Sequence, residues 1–499
     1  MKKRLVQLMC VTLCFITVFC SASIAFAKEK VTPVIVVHGL GGSDLYQHLG
    51  TPDEVKIPQF GIEVEAMLKN KTILDEALKL FSSDMEPNYE DLFEALGNYF
   101  EATNLNYTKN GTAKAGQGVN CYWETPLSKH KEYLTMRDFS IPVIARQIAK
   151  DIGKKNVYAF NYDWRADMCE SAKRLRKMVV AVKKRTGAKK VTIVALSLGG
   201  AVTSAYMDKY KTKKDIARYI LINPAYMGVD VARAFCFDLK FDKKAVISYL
   251  HKMEYDFNAG QKETIFKAVT ALGDYRIGCG LDNLNNQVIA NPAMRKKFFN
   301  TVVKPWIGNI PAFYELIPYK DFNKAVENMS KIGYLDKSSG LYKKITNYHK
   351  VQGRFKKNLK YVKKHGAEVA VIANYGTKGL PVTSKKNNHT DLLIDTKYAS
   401  VGATVAQYGK KLKGKKAKGK YVSPDKAINA GTCTLPDNTW FFKNVIHGLY
   451  IYNADTTKFI AALSTGKVKC NLKSVKKKYG YSQFLKADVD QNLKNIKKK

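Results

Sequence analysis

Val191-Thr-Ile-Val-Ala-Leu-Ser197-Leu-Gly-Gly200 is a β-branched apolar run that breaks into small residues, and a short run of that kind bounded by glycine reads as a buried strand. The segment from Gly200 to Lys209 continues as an amphipathic helix. Ser197 therefore falls at a strand-to-helix turn. Ala195 and Gly199, two positions to either side, are small enough to let strand and helix pass closely, as a serine held in a sharp, strained turn requires. The departure from Gly-x-Ser-x-Gly is a single methyl group at the first position. Such a nucleophile elbow exposes the serine Oγ. Leu198, next in the chain, offers an unpaired N–H at a helix N-terminus, where the dipole favours a developing negative charge.

Working outward, Val34 to Val37, Val157 to Tyr162, Tyr219 to Ile222 and Val369 to Ile372 read as further buried strands, with helices over Ile141 to Ile152 and Glu170 to Thr186. Strand alternating with helix predicts a mostly parallel α/β sheet flanked by helices, and the elbow makes it an α/β-hydrolase fold. Two stretches break the alternation. Ser43 to about Phe139 follows the first strand, and Ala225 to about Lys364, which carries Pro311-Ala-Phe-Tyr-Glu-Leu-Ile-Pro318, precedes the fifth. Insertions after strand C-termini lie at the ligand-binding edge, so the second is expected to form a cap or lid. The division expected is a leader (1–27), a first core part (28–224) interrupted at about 43–139, a cap (225–364), a second core part (365–470) and a lysine-rich tail (471–499).

In this fold the nucleophile precedes the acid and the acid precedes the base. Downstream of the fifth strand the histidines are His389 and His447. His447 ends the apolar run Thr439-Trp-Phe-Phe-Lys-Asn-Val-Ile and precedes Gly448, as a loop residue leaving a buried segment would. It is the expected base. Asn388-His-Thr-Asp391-Leu-Leu-Ile-Asp395 offers Asp391 and Asp395 as acids that could hold the imidazole. His38-Gly-Leu40-Gly-Gly42 ends the first strand, where such hydrolases take their second oxyanion donor; that N–H is assigned to Leu40, with Gly41 as the neighbouring choice. His38 is expected to orient this loop.

The elbow, Tyr162-Asp163-Trp164-Arg165, Glu368-Val-Ala-Val-Ile-Ala-Asn-Tyr-Gly376-Thr377 and Tyr314-Glu-Leu-Ile-Pro318 together resemble the lecithin:cholesterol acyltransferase-like family of lipases, phospholipases and acyltransferases. The resemblance is piecewise, from about Val31 to His447. It implies an acid in a Gly-Asp-Gly-x-Val context, matched here by Thr390-Asp391-Leu-Leu-Ile394 without the glycines, which favours Asp391. It implies catalysis through Ser197, Asp391 and His447, with Asp163, Trp164 and Arg165 either touching substrate or bracing the elbow. Hydrolysis of acyl lipid esters is the expected activity. O-acyl transfer by the same acyl-enzyme, or a non-catalytic scaffold binding anionic lipid or cell-wall polymer, are the alternatives. No cofactor, metal or nucleic acid is called for.

Composition fits. Hydrophobic residues make up 45% and charged residues 25% of 499, which argues against a disordered chain. Lys2-Lys-Arg4, the apolar stretch Leu5 to Phe19 and Ala25-Phe-Ala27 read as a secretory signal cleaved after Ala27, the apolar core being shorter than the roughly 20 residues of a spanning helix. Cleavage leaves Cys121, Cys169, Cys236, Cys279, Cys433 and Cys470, an even set that permits up to three disulfides in an exported protein. The net charge of +40 is lysine-dominated, and clusters such as Lys410 to Lys420 could contact an anionic membrane or wall.

Overall fold

The computed structural model describes residues 31–120, 124–135, 140–237, 239–256, 262–382, 388–448, 454–487 and 492–497. The expected signal and Cys121 lie outside these residues. An 8-stranded sheet forms the centre: β1 (Val34–Val37), β2 (Val157–Phe160), β3 (Val191–Leu196), β4 (Ile216–Ile222), β5 (Glu368–Tyr375), β6 (Thr439–Lys443), β7 (Phe484–Ala487) and β8 (Leu493–Asn495), ordered β8-β7-β6-β5-β4-β3-β1-β2. Every neighbouring pair is parallel except β7 and β8. The molecule has the α/β-hydrolase fold.

Strand periodicity divides the core in two. Ile35, Val37, Ile193, Ala195 and Leu221 face one way, against α2 (Met168–Thr186), α3 (Leu198–Tyr210) and α4 (Gly340–Lys364). Val34, Val36, Val194, Leu196 and Ile220 face the other, against α1 (Ser140–Ile152) and α5 (Ala454–Thr465). Both faces of the parallel strands are thus covered, which is why they carry unbroken apolar runs rather than alternation.

The two insertions pack on each other. Phe93 and Phe100 from the first share a cluster with Val288 and Val302 from the second, and Phe100 stacks on Trp306 at 4.7 Å. Among the described residues no helix is long and apolar enough to cross a membrane.

Three expectations need correction. The segment Gly340–Lys364, assigned to the cap, is a core helix: Ile345, Tyr348, Val351, Phe355, Leu359 and Val362 form one buried stripe, and Tyr348 OH lies 3.2 Å from Ser204 Oγ of α3. The expected tail beyond residue 470 supplies β7, β8 and the helix Leu472–Tyr479. Phe484, Leu485 and Leu493 are buried there, so the segment has an apolar reason to fold. Finally, Cys169, Cys236, Cys279, Cys433 and Cys470 are free thiols. Two of them have hydrogen-bond partners of other kinds: Cys236 Sγ donates to Ala232 O, and Asn347 Nδ2 donates to Cys169 Sγ.

Candidate active site

The turn after β3 holds Ser197 at φ 55°, ψ −120°, a conformation that costs a non-glycine residue of order 1–3 kcal/mol and persists only where its surroundings enforce it. Here β4 does so. Ser197 N donates to Ile222 O at 3.0 Å, and Ala225 N donates to Ser197 O at 2.9 Å. A Cβ on Gly199 would stand 2.6 Å from Val37 O, so the crossing of α3 over β1 admits only glycine.

The loops after β5 and β6 converge on this serine. Asp391 Oδ1 accepts from Leu393 N and Ile394 N at 3.1 and 2.7 Å. Its Oδ2 accepts from His447 Nδ1 at 2.6 Å, and His447 N donates to Asp391 O at 2.7 Å. With Nδ1 protonated, Nε2 is left to accept from Ser197 Oγ, 3.0 Å away. Asp391 is 1% exposed. Asp395, the alternative acid, points elsewhere and accepts from Asn388 Nδ2 at 2.7 Å. Leu392 has φ 95°, glycine territory, which gives a physical reason for a glycine after the acid in the Gly-Asp-Gly context. In this chain leucine bears that strain, with its N–H held by Thr390 Oγ1 at 2.9 Å.

The loop after β1 closes the other side. A Cβ on Gly39 would meet Ser197 Cβ at 2.9 Å, so the loop lies directly on the serine. His38 is buried and stacked on Tyr162, ring centroids 4.3 Å apart. Its Nε2 accepts from Tyr162 N at 3.4 Å and its Nδ1 donates to Gly39 O at 2.7 Å. Burial lowers its pKa to about 4, so it stays neutral and keeps that tautomer. Because carbonyl and N–H point oppositely across a trans peptide, fixing Gly39 O fixes the direction of Leu40 N–H. Neither Leu40 N–H nor Leu198 N–H has a protein acceptor among the described residues, as two donors awaiting an oxyanion would require. Gln59 Nε2 donates to Gly41 O at 3.3 Å.

The Tyr162 to Arg165 run braces this loop. Tyr162 OH donates to His38 O at 3.0 Å, Ser43 Oγ donates to Tyr162 O at 2.6 Å and Trp164 Nε1 donates to Ser43 O at 3.2 Å. Asp163 and Arg165 form a buried bidentate pair at 2.9 and 2.7 Å, and Arg165 NH1 donates to Leu105 O at 2.7 Å. With Trp164 and Arg165 1% and 0% exposed, these residues tie the first insertion to the core. Phe60 and Phe313 pack around Trp164, and Trp306 Nε1 donates to Phe60 O at 2.7 Å, so an apolar cluster from both insertions stands beside the oxyanion loop.

Tyr162 is legible in the sequence as the head of its motif, without a role. Gln59, Phe60 and Trp306 meet the site from distant insertions and carry no such signal. Among the described residues no three His, Cys, Asp or Glu side chains converge as a metal would need.

Residues 141–218, from α1 through the Tyr162 turn and the elbow into β4, match the family model described as lipase (class 2). The match supports a lipase-type hydrolase and stops short of the narrower acyltransferase-like resemblance. No curated protein matches the chain.

Proposed function

We propose that the chain is a secreted serine hydrolase of acyl lipid esters. His447 Nε2 takes the proton of Ser197 Oγ as it attacks the ester carbonyl, Asp391 holds the imidazole and stabilises the imidazolium, and the N–H groups of Leu40 and Leu198 bind the oxyanion. The alcohol leaves with the proton from His447. Water, activated by the same imidazole, then attacks the acyl-enzyme and releases a carboxylic acid. The observation that carries this reading is the continuous hydrogen-bonded chain from Asp391 through His447 to Ser197, with Ser197 in the strained elbow conformation.

A lipid substrate is favoured over a peptide by the apolar cluster of Phe60, Trp306 and Phe313 beside the oxyanion loop, and by the lipase match across the elbow. Export is supported by the basic, apolar and small-residue pattern ending at Ala27. The test is turnover of an acyl-ester series beside peptide amides: the wild type should release free fatty acid, and Ser197→Ala should lose that activity while keeping its fold. Undiminished ester turnover by the folded variant would overturn the proposal.

A further inference from the structure

We propose that the excursion carrying Lys410 to Lys420 is the docking surface through which the protein binds an anionic lipid bilayer, with the Ser197 site at its edge. The inference rests on the lipid-ester reading above for its choice of partner. Seven lysines, at positions 410, 411, 413, 415, 416, 418 and 420, are all exposed. No Asp or Glu occurs from Thr396 through Pro424, and among the described residues none of the seven lysines has a carboxylate partner. Clustered like charges repel one another, whereas a surface that needs only solubility intersperses both signs.

The excursion is also built to present these charges. Leu412 is buried and its N–H donates to Lys426 O at 2.8 Å; Ala406 N donates to Ala427 O at 2.8 Å. Asn429 Nδ2 donates to Lys416 O at 3.0 Å. The lysines thus stand on a fixed scaffold with a shallow groove beside it, lined by Gln407, Lys410, Lys413 and Lys416. Little backbone ordering would remain to oppose binding.

Position selects the partner. Asn388 pairs with Gln407, and Tyr408 packs on His389 at 5.3 Å, so the excursion leaves from the segment that carries Asp391. Asp425, at its other end, accepts from Tyr375 OH at 3.1 Å and Lys443 Nζ at 2.7 Å. Those residues end β5 and β6, at the same sheet edge as Ser197. A bilayer held there would bring acyl esters of its own leaflet to the site. An anionic wall polymer would match the charge and bring no acyl chains of a bilayer.

The test uses the full chain carrying Ser197→Ala, so that binding is read without turnover, on phosphatidylcholine vesicles with and without phosphatidylglycerol. Binding should require phosphatidylglycerol and fall at high salt. Replacing Lys410, Lys411, Lys413, Lys415 and Lys416 by Gln should weaken it at least about a hundredfold, since each lysine near such a surface contributes a comparable increment. The same change at exposed Lys343, Lys350, Lys357, Lys360 and Lys364 of α4 should alter it less than about threefold, being the same charge loss placed elsewhere. Equal loss in both variants, no preference for phosphatidylglycerol, or tighter excursion-dependent binding to poly(glycerol phosphate) than to vesicles would overturn the inference. With Ser197 restored, the excursion variant should hydrolyse a soluble short-chain ester at the wild-type rate. Docking failure with that activity intact rejects the surface alone; vesicle binding by a chain that turns over no ester rejects the hydrolase.

Discussion

Substituting His38 by Phe separates a structural histidine from the catalytic one through pH. The phenyl ring can keep the stack on Tyr162 but cannot donate to Gly39 O or accept from Tyr162 N. His38 is held neutral, its pKa lowered by burial from 6.5 to about 4. In the unfolded chain it binds a proton near pH 6.5, so between the two values the unfolded state holds more protons and stability rises with pH. Acidification removes that contribution, about 2 kcal/mol of it by pH 5 and about 3 kcal/mol by pH 4. The variant has no such group to lose. Urea unfolding of both proteins at pH 7.5 and pH 5 should show the wild type ahead at the higher pH, and the gap narrowing by about 2 kcal/mol at the lower. The other titrating groups largely cancel in this difference. At pH 7.5 the variant should also lose kcat with little change in KM, because Gly39 O then keeps only the longer bond from Gly42 N, at 3.3 Å, and Leu40 N–H is less firmly directed. A gap that stays constant between the two pH values would refute the assignment of a neutral His38 as the loop's orienting group.

Gly39→Ala places a methyl 2.9 Å from Ser197 Cβ; displacement of the oxyanion loop should lower kcat about 100-fold to 1,000-fold, the cost of one lost donor, and steady-state kinetics on a soluble ester would read it. Leu392→Gly relieves the residue at φ 95° and should leave kcat near wild type while raising stability by up to about 1 kcal/mol, the strain relieved exceeding the entropy that glycine adds to the unfolded chain; a collapse of kcat in denaturation-checked protein would show that the leucine side chain itself serves the site. Arg165→Met strands the buried carboxylate of Asp163 and should cost about 3–5 kcal/mol in denaturant unfolding, with KM unchanged for the folded fraction.

Chemistry that depends on short-range order was readable in the sequence. The elbow is a local event in which a buried strand, a serine and small residues lie within ten positions. Chain order then left His447 as base, and the structure places it 3.0 Å from Ser197 Oγ. Asp391 was less legible because the glycines of its context are replaced, and the φ of Leu392 shows the backbone shape kept without them. The helix Gly340–Lys364 did carry a signal, apolar residues at three- and four-residue spacing, diluted by its lysines. Phe484-Leu-Lys-Ala487 and Leu493-Lys-Asn495 are too short to announce themselves, each being three or four residues interrupted by a lysine, and only the second is an edge strand. Even cysteine parity says nothing about distance, and five of the six expected bridging residues are separate thiols. Gln59, Phe60 and Trp306 act on the oxyanion loop only through tertiary packing of two insertions.

The central claim is that Ser197 is a nucleophile activated by His447. Intact-mass and peptide mapping after treatment with a fluorophosphonate test it most directly, because the reagent phosphonylates a serine only where a working base and oxyanion site coincide. The wild type should gain one adduct, on the peptide containing Ser197; Ser197→Ala should gain none, and His447→Ala should react at least about a hundredfold more slowly. A folded wild type that takes up no label, or an adduct that persists in Ser197→Ala, would contradict the account.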